Sequence, residues 1–158
     1  MSTSVTVSRQ SWPVYLAFIA LVVAIGIAIG LGTQPGAWYE GLNKPPFNPP
    51  DWLFGPVWTV LYVLIGIAGA RIFLAAPKSG AMATWVVQMA LNFAWSPVWF
   101  GLQLIWPAFA IILALLAAIL AFIALARPID RLSSWLFVPY LAWVGFATLL
   151  NLSIGILN

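Results

Sequence analysis

The sequence contains no cysteine and no histidine, and it has little charge of either sign. Without cysteine there is no disulfide framework and no thiolate nucleophile. Without histidine the commonest metal ligand and the commonest general base are missing, and haem iron would need the less common Tyr or Met as its axial ligand. The three acidic residues form no pair that could carry acid–base catalysis. The sequence therefore disfavours hydrolytic and metal-dependent chemistry.

The composition is that of a protein whose surface faces lipid. The 158 residues are 64% hydrophobic and only 6% charged, whereas soluble domains are roughly 25% charged. Such a chain cannot cover an apolar interior with a polar surface. The net charge of +3 comes from six basic residues spread along the chain, so no basic patch for nucleic acid is predicted.

Five apolar runs have lengths close to the ~20 residues that cross a hydrocarbon core. The sequence therefore predicts an all-α membrane protein, a single domain over residues 1–158 with a five-helix transmembrane bundle. Without an internal repeat, an inverted-repeat transporter is disfavoured. The predicted helices cover residues 13–31, 54–75, 81–100, 107–126 and 132–156.

Three features of these runs predict their surroundings. Arg71 lies near the end of the second run, where we expect it to extend to the lipid headgroups. The fourth run has no polar side chain, so we expect it to be the most lipid-exposed helix. Gly26 and Gly30 form a G-x-x-x-G pair that either seats a neighbouring helix or is an ordinary use of small residues.

The connection between the first two runs, residues 32–53, is predicted to hold a fixed shape. Proline lacks the N–H donor and clashes with the preceding turn, so the stretch 37–52 is not expected to be helical. That stretch also contains two of the three acids, Glu40 and Asp51. Its four prolines are Pro45, Pro46, Pro49 and Pro50.

Basic residues predict the orientation in the membrane. With five spans, all but one of them lie on the side of the N-terminus, which predicts a cytoplasmic N-terminus and places the 32–53 loop and the C-terminus on the opposite side. Helical spans favour the inner membrane of a bacterial envelope, with the outer membrane as the alternative. Arg9, Arg71, Lys78, Arg127 and Arg131 lie on one side, and Lys44 on the other.

Aromatic and amide residues recur at helical spacing in three runs. Converging stripes would line a small-molecule pocket with flat ring faces and a few hydrogen-bonding groups. The alternative is interhelical packing, since Asn and Gln commonly bridge membrane helices. Because no acid lies within a span, a proton relay is not predicted. The stripes are Trp58 and Tyr62; Gln88, Asn92, Trp95 and Trp99; and Trp143, Ala147 and Asn151.

The ten tryptophans exceed what two interfacial belts require. Four of them lie near run ends and are predicted to be belt residues: Trp12, Trp52, Trp106 and Trp135.

The order and spacing of these residues resemble a known family. The motifs are Trp38-Tyr39-x-x-Leu42-x-Lys44-Pro45-x-x-x-Pro49-Pro50, Trp58-x-x-x-Tyr62, Gln88-x-x-x-Asn92-x-x-Trp95 and Pro139-Tyr140-x-x-Trp143-x-x-Phe146-Ala147-x-x-x-Asn151. From about residue 36 to the C-terminus the chain resembles the TspO/MBR family, the tryptophan-rich sensory proteins related to the mitochondrial translocator protein (peripheral-type benzodiazepine receptor).

The resemblance implies a five-helix bundle, usually a homodimer, with a ligand pocket under the first loop. It implies binding of porphyrins, sterol-like lipids, and isoquinoline carboxamide or benzodiazepine-type drugs, with no obligatory cofactor and no metal. With Gln88 added from the stripe, the expected ligand-binding residues are Trp38, Tyr39, Pro49, Trp58, Tyr62, Gln88, Asn92, Trp95, Trp143 and Ala147.

Several functions remain open at this stage. The first is a receptor or sensor for porphyrin (protoporphyrin IX or haem) with a regulatory or transport role. The others are a light-dependent porphyrin-degrading enzyme using Trp58 and Trp143, and a carrier of sterol, lipid or porphyrin. The sterol motif needs a basic residue shortly after a tyrosine. None follows Tyr140, so porphyrin ranks above sterol.

Two further expectations concern partners. Lys44 is the base on the loop side, available to a porphyrin propionate or to a lipid phosphate. For the dimer interface, either Gly26 and Gly30 of the first run or Ala83, Ala90 and Ala94 of the third run could seat a close helix contact. The resemblance favours the third run, which cross-linking in a bilayer would test.

Overall fold

The computed structural model describes residues 11–158, in which all regular structure is helical. Arg9, part of the predicted charge asymmetry, lies outside the described residues. A 3-10 turn (Asp51–Leu53) precedes α3, and a π-helical turn (Pro97–Gly101) follows α4. The helices are α1 (Trp12–Gly32), α2 (Ala37–Glu40), α3 (Phe54–Ala75), α4 (Gly80–Ser96), α5 (Ile105–Ala126), α6 (Arg131–Leu136) and α7 (Val138–Leu157).

Four helical segments among the described residues are long and apolar enough to cross a bilayer. They are Trp12–Gly32, Asp51–Ala75, Ile105–Ala126 and Arg131–Leu157. The expectation of an all-α membrane protein is confirmed at this level. The remaining long helix, α4, has 17 residues.

Prolines break two of the predicted runs. The third run is not one helix to residue 100, since α4 ends at Ser96 and a π-helical turn begins at Pro97. The fifth run is two helices, α6 and α7, which meet at Phe137, two residues before Pro139. Proline has no N–H to donate and its ring clashes with the carbonyl four residues earlier. Ending the first helix and beginning another near the proline therefore costs less free energy than continuing one helix through it.

Close helix contacts rest on glycines of α3. A Cβ added at Gly66 would lie 2.8 Å from the Cα of Ile19, so α1 and α3 touch there at backbone distance. A Cβ at Gly69 would lie 2.4 Å from the ring of Trp85 of α4, whose Nε1 donates to the carbonyl of Ile65 at 3.0 Å. Side chains at these two positions would push the three helices apart.

The fourth apolar run is not the most lipid-exposed helix, contrary to the sequence expectation. That run is α5, which packs between α4 and α7. Among the long helices, α1 has the fewest buried residues, since only Val22 and Gly26 are buried in it. Apolar composition alone cannot separate a lipid-facing helix from a core helix, because both environments exclude polar groups. The buried stripe of α5 is Ala108, Ile112, Leu115, Ile119, Phe122 and Ala126.

Arg71 is buried and does not extend to the headgroups as predicted. Its Nε donates to Oδ2 of Asp130 at 2.6 Å and its Nη2 donates to Oδ1 at 2.9 Å. The backbone N–H and hydroxyl of Ser133 also donate to Oδ2. Burial raises the pKa of Asp130, but the donors from Arg71 and Ser133 outweigh burial, so its pKa lies below the ordinary value. This fork-shaped pair joins α3 to the start of α6.

The four belt tryptophans are exposed near helix ends, as expected for interfacial residues. They are Trp12, Trp52, Trp106 and Trp135, and each exposes more than half of its surface. On α4, Ala83 and Ala90 are exposed and Ala94 is partly buried. The homodimer through this helix stays a prediction.

Candidate ligand-binding cavity

The loop between α1 and α3 is ordered by contacts of its own side chains. Tyr39, buried in α2, donates from its hydroxyl to Oδ1 of Asn48 at 3.2 Å, and burial raises the pKa of that phenol. Helix α2 corrects the expectation that 37–52 contains no helix. Its residues precede Pro45, the first proline of that stretch, so their N–H groups are free to form a turn.

Lys44 stabilises the end of α2. Its Nζ donates to the carbonyls of Glu40 (3.1 Å) and Leu42 (3.3 Å) and lies 4.7 Å from the centre of the Tyr39 ring. The Glu40 carbonyl is one of the unsatisfied acceptors at the C-terminus of α2, and Leu42 lies two residues beyond that end. The ammonium group is thus engaged within the loop.

Two asparagines join the loop to the end of α7. The Asn43 N–H donates to Oδ1 of Asn158 at 2.9 Å, and Nδ2 of Asn158 donates back to the Asn43 carbonyl at 2.9 Å. A third bond runs from Nδ2 of Asn43 to the carbonyl of Leu157 at 3.3 Å. The loop is therefore held over the ends of the helices by hydrogen bonds rather than by its prolines alone.

A cavity of about 430 Å³ lies beneath this loop. Its walls come from the second half of α1, the first half of α3, the end of α4 with the π-helical turn, and the second half of α7. This volume falls in the range of roughly 300–1,000 Å³ that is usual for small-molecule sites.

Two stacked aromatic pairs line the cavity. The rings of Trp58 and Tyr62 on α3 lie 5.4 Å apart at 30°. The rings of Trp95 and Trp99 lie 5.8 Å apart at 10°. Offset stacking of this kind favours planar aromatic partners at the same spacing.

The polar groups of the cavity are mostly amides and hydroxyls. Trp95 Nε1 donates to Oδ1 of Asn151 at 3.2 Å, and the hydroxyls of Thr33 and Ser96 join α1 to α4 at 2.6 Å. Asp51 is the one acid in the lining. Among the described residues no group of three His, Cys, Asp or Glu could hold a metal ion. The arrangement can stack on and hydrogen-bond to a ligand.

The structure brings six of the ten predicted site residues into the wall of this cavity and places four outside it. The six are Tyr39, Trp58, Tyr62, Asn92, Trp95 and Ala147. Of the other four, Trp38 packs edge-on against Trp99 with ring centres 5.9 Å apart. Pro49 lies in the loop and Gln88 is fully buried behind Asn92.

Trp143 is the fourth residue outside the cavity wall. It lines an open apolar groove between α3 and α7, with Pro56, Val60 and Pro139 among its neighbours. Its ring centre lies 5.7 Å from that of Phe54, which does line the cavity. Trp143 is thus one aromatic ring removed from the cavity.

The wall that α1 contributes to the cavity has no signal in the sequence. Ile27, Gly30 and Leu31 line the cavity, yet α1 is apolar on every face and shows no stripe. Gly26 was noted for close helix packing, and the structure gives it another role. A Cβ at that position would lie 2.2 Å from Cε2 of Tyr62, so Gly26 makes room for that ring.

Comparisons with known proteins agree with this architecture. The sequence profile of the TspO/MBR family matches residues 18–157. The chain is 41% identical over 150 residues to the tryptophan-rich protein TspO of Archaeoglobus fulgidus, covering 90% of this chain and 95% of the relative. It is 38% identical over 135 residues to protein CrtK of Rhodobacter capsulatus, covering 83% and 84%.

A more distant relative is the human translocator protein. The two are 37% identical over 123 residues, and the match covers 72% of this chain and 70% of the human protein. The family profile spans all of α2 to α7 and most of α1. With the profile and these relatives covering most of its length, the chain belongs to the TspO/MBR family.

Proposed function

We propose that this protein is a membrane receptor that binds a porphyrin, or another large flat apolar ligand, in the cavity under the 33–53 loop. The observation that carries the proposal is that two stacked aromatic pairs, Trp58–Tyr62 and Trp95–Trp99, line one cavity. This site favours regulation by ligand occupancy over transport, because the spans hold no relay of ionisable side chains that could couple transport to protons.

The chemistry of the wall fits such a ligand. Ring faces stabilise a planar aromatic molecule by stacking, and the buried amides supply a few directional hydrogen bonds. Asp51 at the rim disfavours a propionate there, so a porphyrin would direct its propionates away from that carboxylate. Light-dependent degradation, which was predicted to use both Trp58 and Trp143, stays a prediction. Of these two residues, Trp58 lines the cavity and Trp143 does not.

Removing one cavity ring should weaken porphyrin binding. For Trp95→Ala we expect a loss of about 1–3 kcal/mol, the scale of one base–aromatic stacking contact, which raises the Kd for protoporphyrin IX by about 5- to 160-fold. The measurement is quenching of tryptophan fluorescence during titration of the protein in nanodiscs, with empty nanodiscs as the baseline.

The matched control is Trp135→Ala, which removes an exposed tryptophan on α6 outside the cavity wall. Its Kd should equal that of the unmodified protein. Equal Kd values for the Trp95 and Trp135 variants, with both folded by circular dichroism, would place porphyrin elsewhere and reject the cavity as its site.

We also propose that α4 and the π-helical turn form a fifth span. The 17 residues of α4 run directly into the five-residue turn, and at helical rise the two cover about 30 Å, the thickness of a hydrocarbon core. The N-terminus is then cytoplasmic, and the 33–53 loop faces away from the cytoplasm. The inner membrane of a bacterial envelope stays a prediction.

Because the sequence contains no cysteine, single introduced thiols test this topology directly. With five spans, Glu40→Cys and Gln103→Cys should react with an impermeant maleimide added outside the cell. Lys78→Cys and Arg127→Cys should react only after lysis. If Gln103→Cys behaves like Lys78→Cys, α4 does not cross the membrane.

A further inference from the structure

Four polar side chains form one chain of hydrogen bonds from the cavity wall into the core. The Tyr62 hydroxyl donates to Oδ1 of Asn92 at 3.2 Å, and Nδ2 of Asn92 donates to the Tyr140 hydroxyl at 2.7 Å. The Tyr140 hydroxyl then donates to Oε1 of Gln88 at 2.9 Å. Tyr62 and Asn92 line the cavity, whereas Tyr140 and Gln88 are completely buried.

The direction of this chain follows from the Gln88 amide, whose Oε1 faces Tyr140 and accepts its proton. A tyrosine hydroxyl has one proton, and that of Tyr140 is given to Gln88. Tyr140 can then only accept from Asn92, which turns the amide nitrogen of Asn92 toward Tyr140 and its oxygen toward Tyr62. The single proton of Tyr62 is consequently used in the interior, and its hydroxyl offers only lone pairs to the cavity.

The amide of Gln88 is oriented by few contacts. Its Nε2 is buried and has no hydrogen-bonding partner within residues 11–158. Among the described residues, the hydrogen bond that Oε1 accepts from Tyr140 is the one that orients this amide. An unpaired buried donor is costly, which favours a role for Gln88 beyond packing.

We propose that Gln88 is a positioning residue that makes Tyr62 a hydrogen-bond acceptor toward the ligand. The site then prefers planar aromatic ligands that carry an N–H or O–H donor over planar ligands that carry only an acceptor. This inference rests on the proposed function, because it concerns the ligand chemistry of the same cavity.

Replacing Gln88 by Met keeps the size of the side chain and removes its acceptor. The Tyr140 proton then has Asn92 as its remaining partner, and turning the Asn92 amide over costs less than leaving a buried hydroxyl proton unpaired. After that turn, Nδ2 of Asn92 donates to Tyr62, and the Tyr62 proton is free to point into the cavity. The variant converts the cavity hydroxyl from an acceptor into a donor.

Carbazole and acridine test this conversion. The two flat tricyclic molecules have similar size, but carbazole offers only an N–H donor and neutral acridine only a nitrogen acceptor. Anthracene, which has neither group, is the reference. At pH 8 in nanodiscs, we expect the unmodified protein to favour carbazole over acridine, and Gln88→Met to shift the ratio of their Kd values toward acridine by about tenfold.

Two background variants separate this effect from a structural one. In Tyr140→Phe the chain is cut, so adding Gln88→Met should leave the Kd ratio unchanged, as in a double-mutant cycle. In Tyr62→Phe the preference between the probes should vanish. A ratio in Gln88→Met equal to that of the unmodified protein, with both probes bound, would overturn the inference and leave the proposed function standing.

A measurement without ligand distinguishes the two failures. The phenol C–O stretch of Tyr62, assigned by infrared difference against Tyr62→Phe, moves in opposite directions when the hydroxyl donates and when it accepts. We expect it to differ between the unmodified protein and Gln88→Met. If it differs but neither the probes nor protoporphyrin IX bind, the proposed function fails while the hydrogen-bond reversal holds; if it does not differ, the inference fails.

Discussion

Asp130→Ala should lower the free energy of unfolding by about 3–5 kcal/mol, the cost of leaving one partner of a buried ion pair alone. Arg71 is 8% exposed, and both of its bonds from Nε and Nη2 go to the Asp130 carboxylate. Without that carboxylate, a buried guanidinium has no counter-charge. The backbone N–H of Ser133 also loses its hydrogen-bond acceptor, the side chain of Asp130 at the N-cap of α6. Denaturant unfolding in detergent, followed by circular dichroism, measures the loss.

The double variant Arg71→Met, Asp130→Leu should recover much of this stability, because well-packed apolar residues commonly replace a buried pair at little cost. Arg131→Ala, an exposed neighbour, should change stability by no more than about 0.5 kcal/mol. Since the pKa of folded Asp130 is lowered, its contribution should be complete above the ordinary Asp value of about 3.9. It should disappear as the pH falls below that value. A double variant no more stable than Asp130→Ala would show that charge pairing is not the source of the effect.

The Arg71–Asp130 pair also shows what the sequence could not predict. Run lengths and hydropathy were enough to place the long helices within a few residues, because the bilayer thickness fixes the length of a span. Arg71 and Asp130 are 59 positions apart, and nothing in the local pattern joins them. A basic residue near the end of an apolar run has the same pattern whether it meets lipid phosphate or a buried carboxylate.

The sequence predicts the residue types of the candidate site better than how far the cavity extends along each helix. Helical spacing identifies one face of a helix but not how far along that face a cavity extends. On α7 the wall runs from Ala147 to Ile154, so Trp143, one turn earlier, falls outside. On α4 the wall begins at Asn92, and Gln88, again one turn earlier, lies in the hydrogen-bonded core.

Gly30→Leu should abolish most ligand binding while leaving the fold intact. A Cβ built at Gly30 has no neighbour within 4 Å, and the residue lines the cavity, so the new side chain occupies space that a ligand would use. Overlap with a bound ligand costs about 1–3 kcal/mol, which raises the Kd for protoporphyrin IX by about 5- to 160-fold. The free energy of unfolding should stay equal or rise by up to ~1 kcal/mol, since glycine is a poor helix former.

Gly26→Ala is the matched comparison one helical turn earlier on α1. Its Cβ would lie 2.2 Å from the Tyr62 ring, which is stacked on Trp58 and bonded to Asn92. The ring cannot move away without losing both contacts, so this smaller substitution should cost about 1–3 kcal/mol of stability. Loss of binding with unchanged unfolding in Gly30→Leu, against loss of stability in Gly26→Ala, distinguishes the open cavity from the packed wall. Unchanged porphyrin affinity in Gly30→Leu would mean that the ligand does not occupy the α1 side of the cavity.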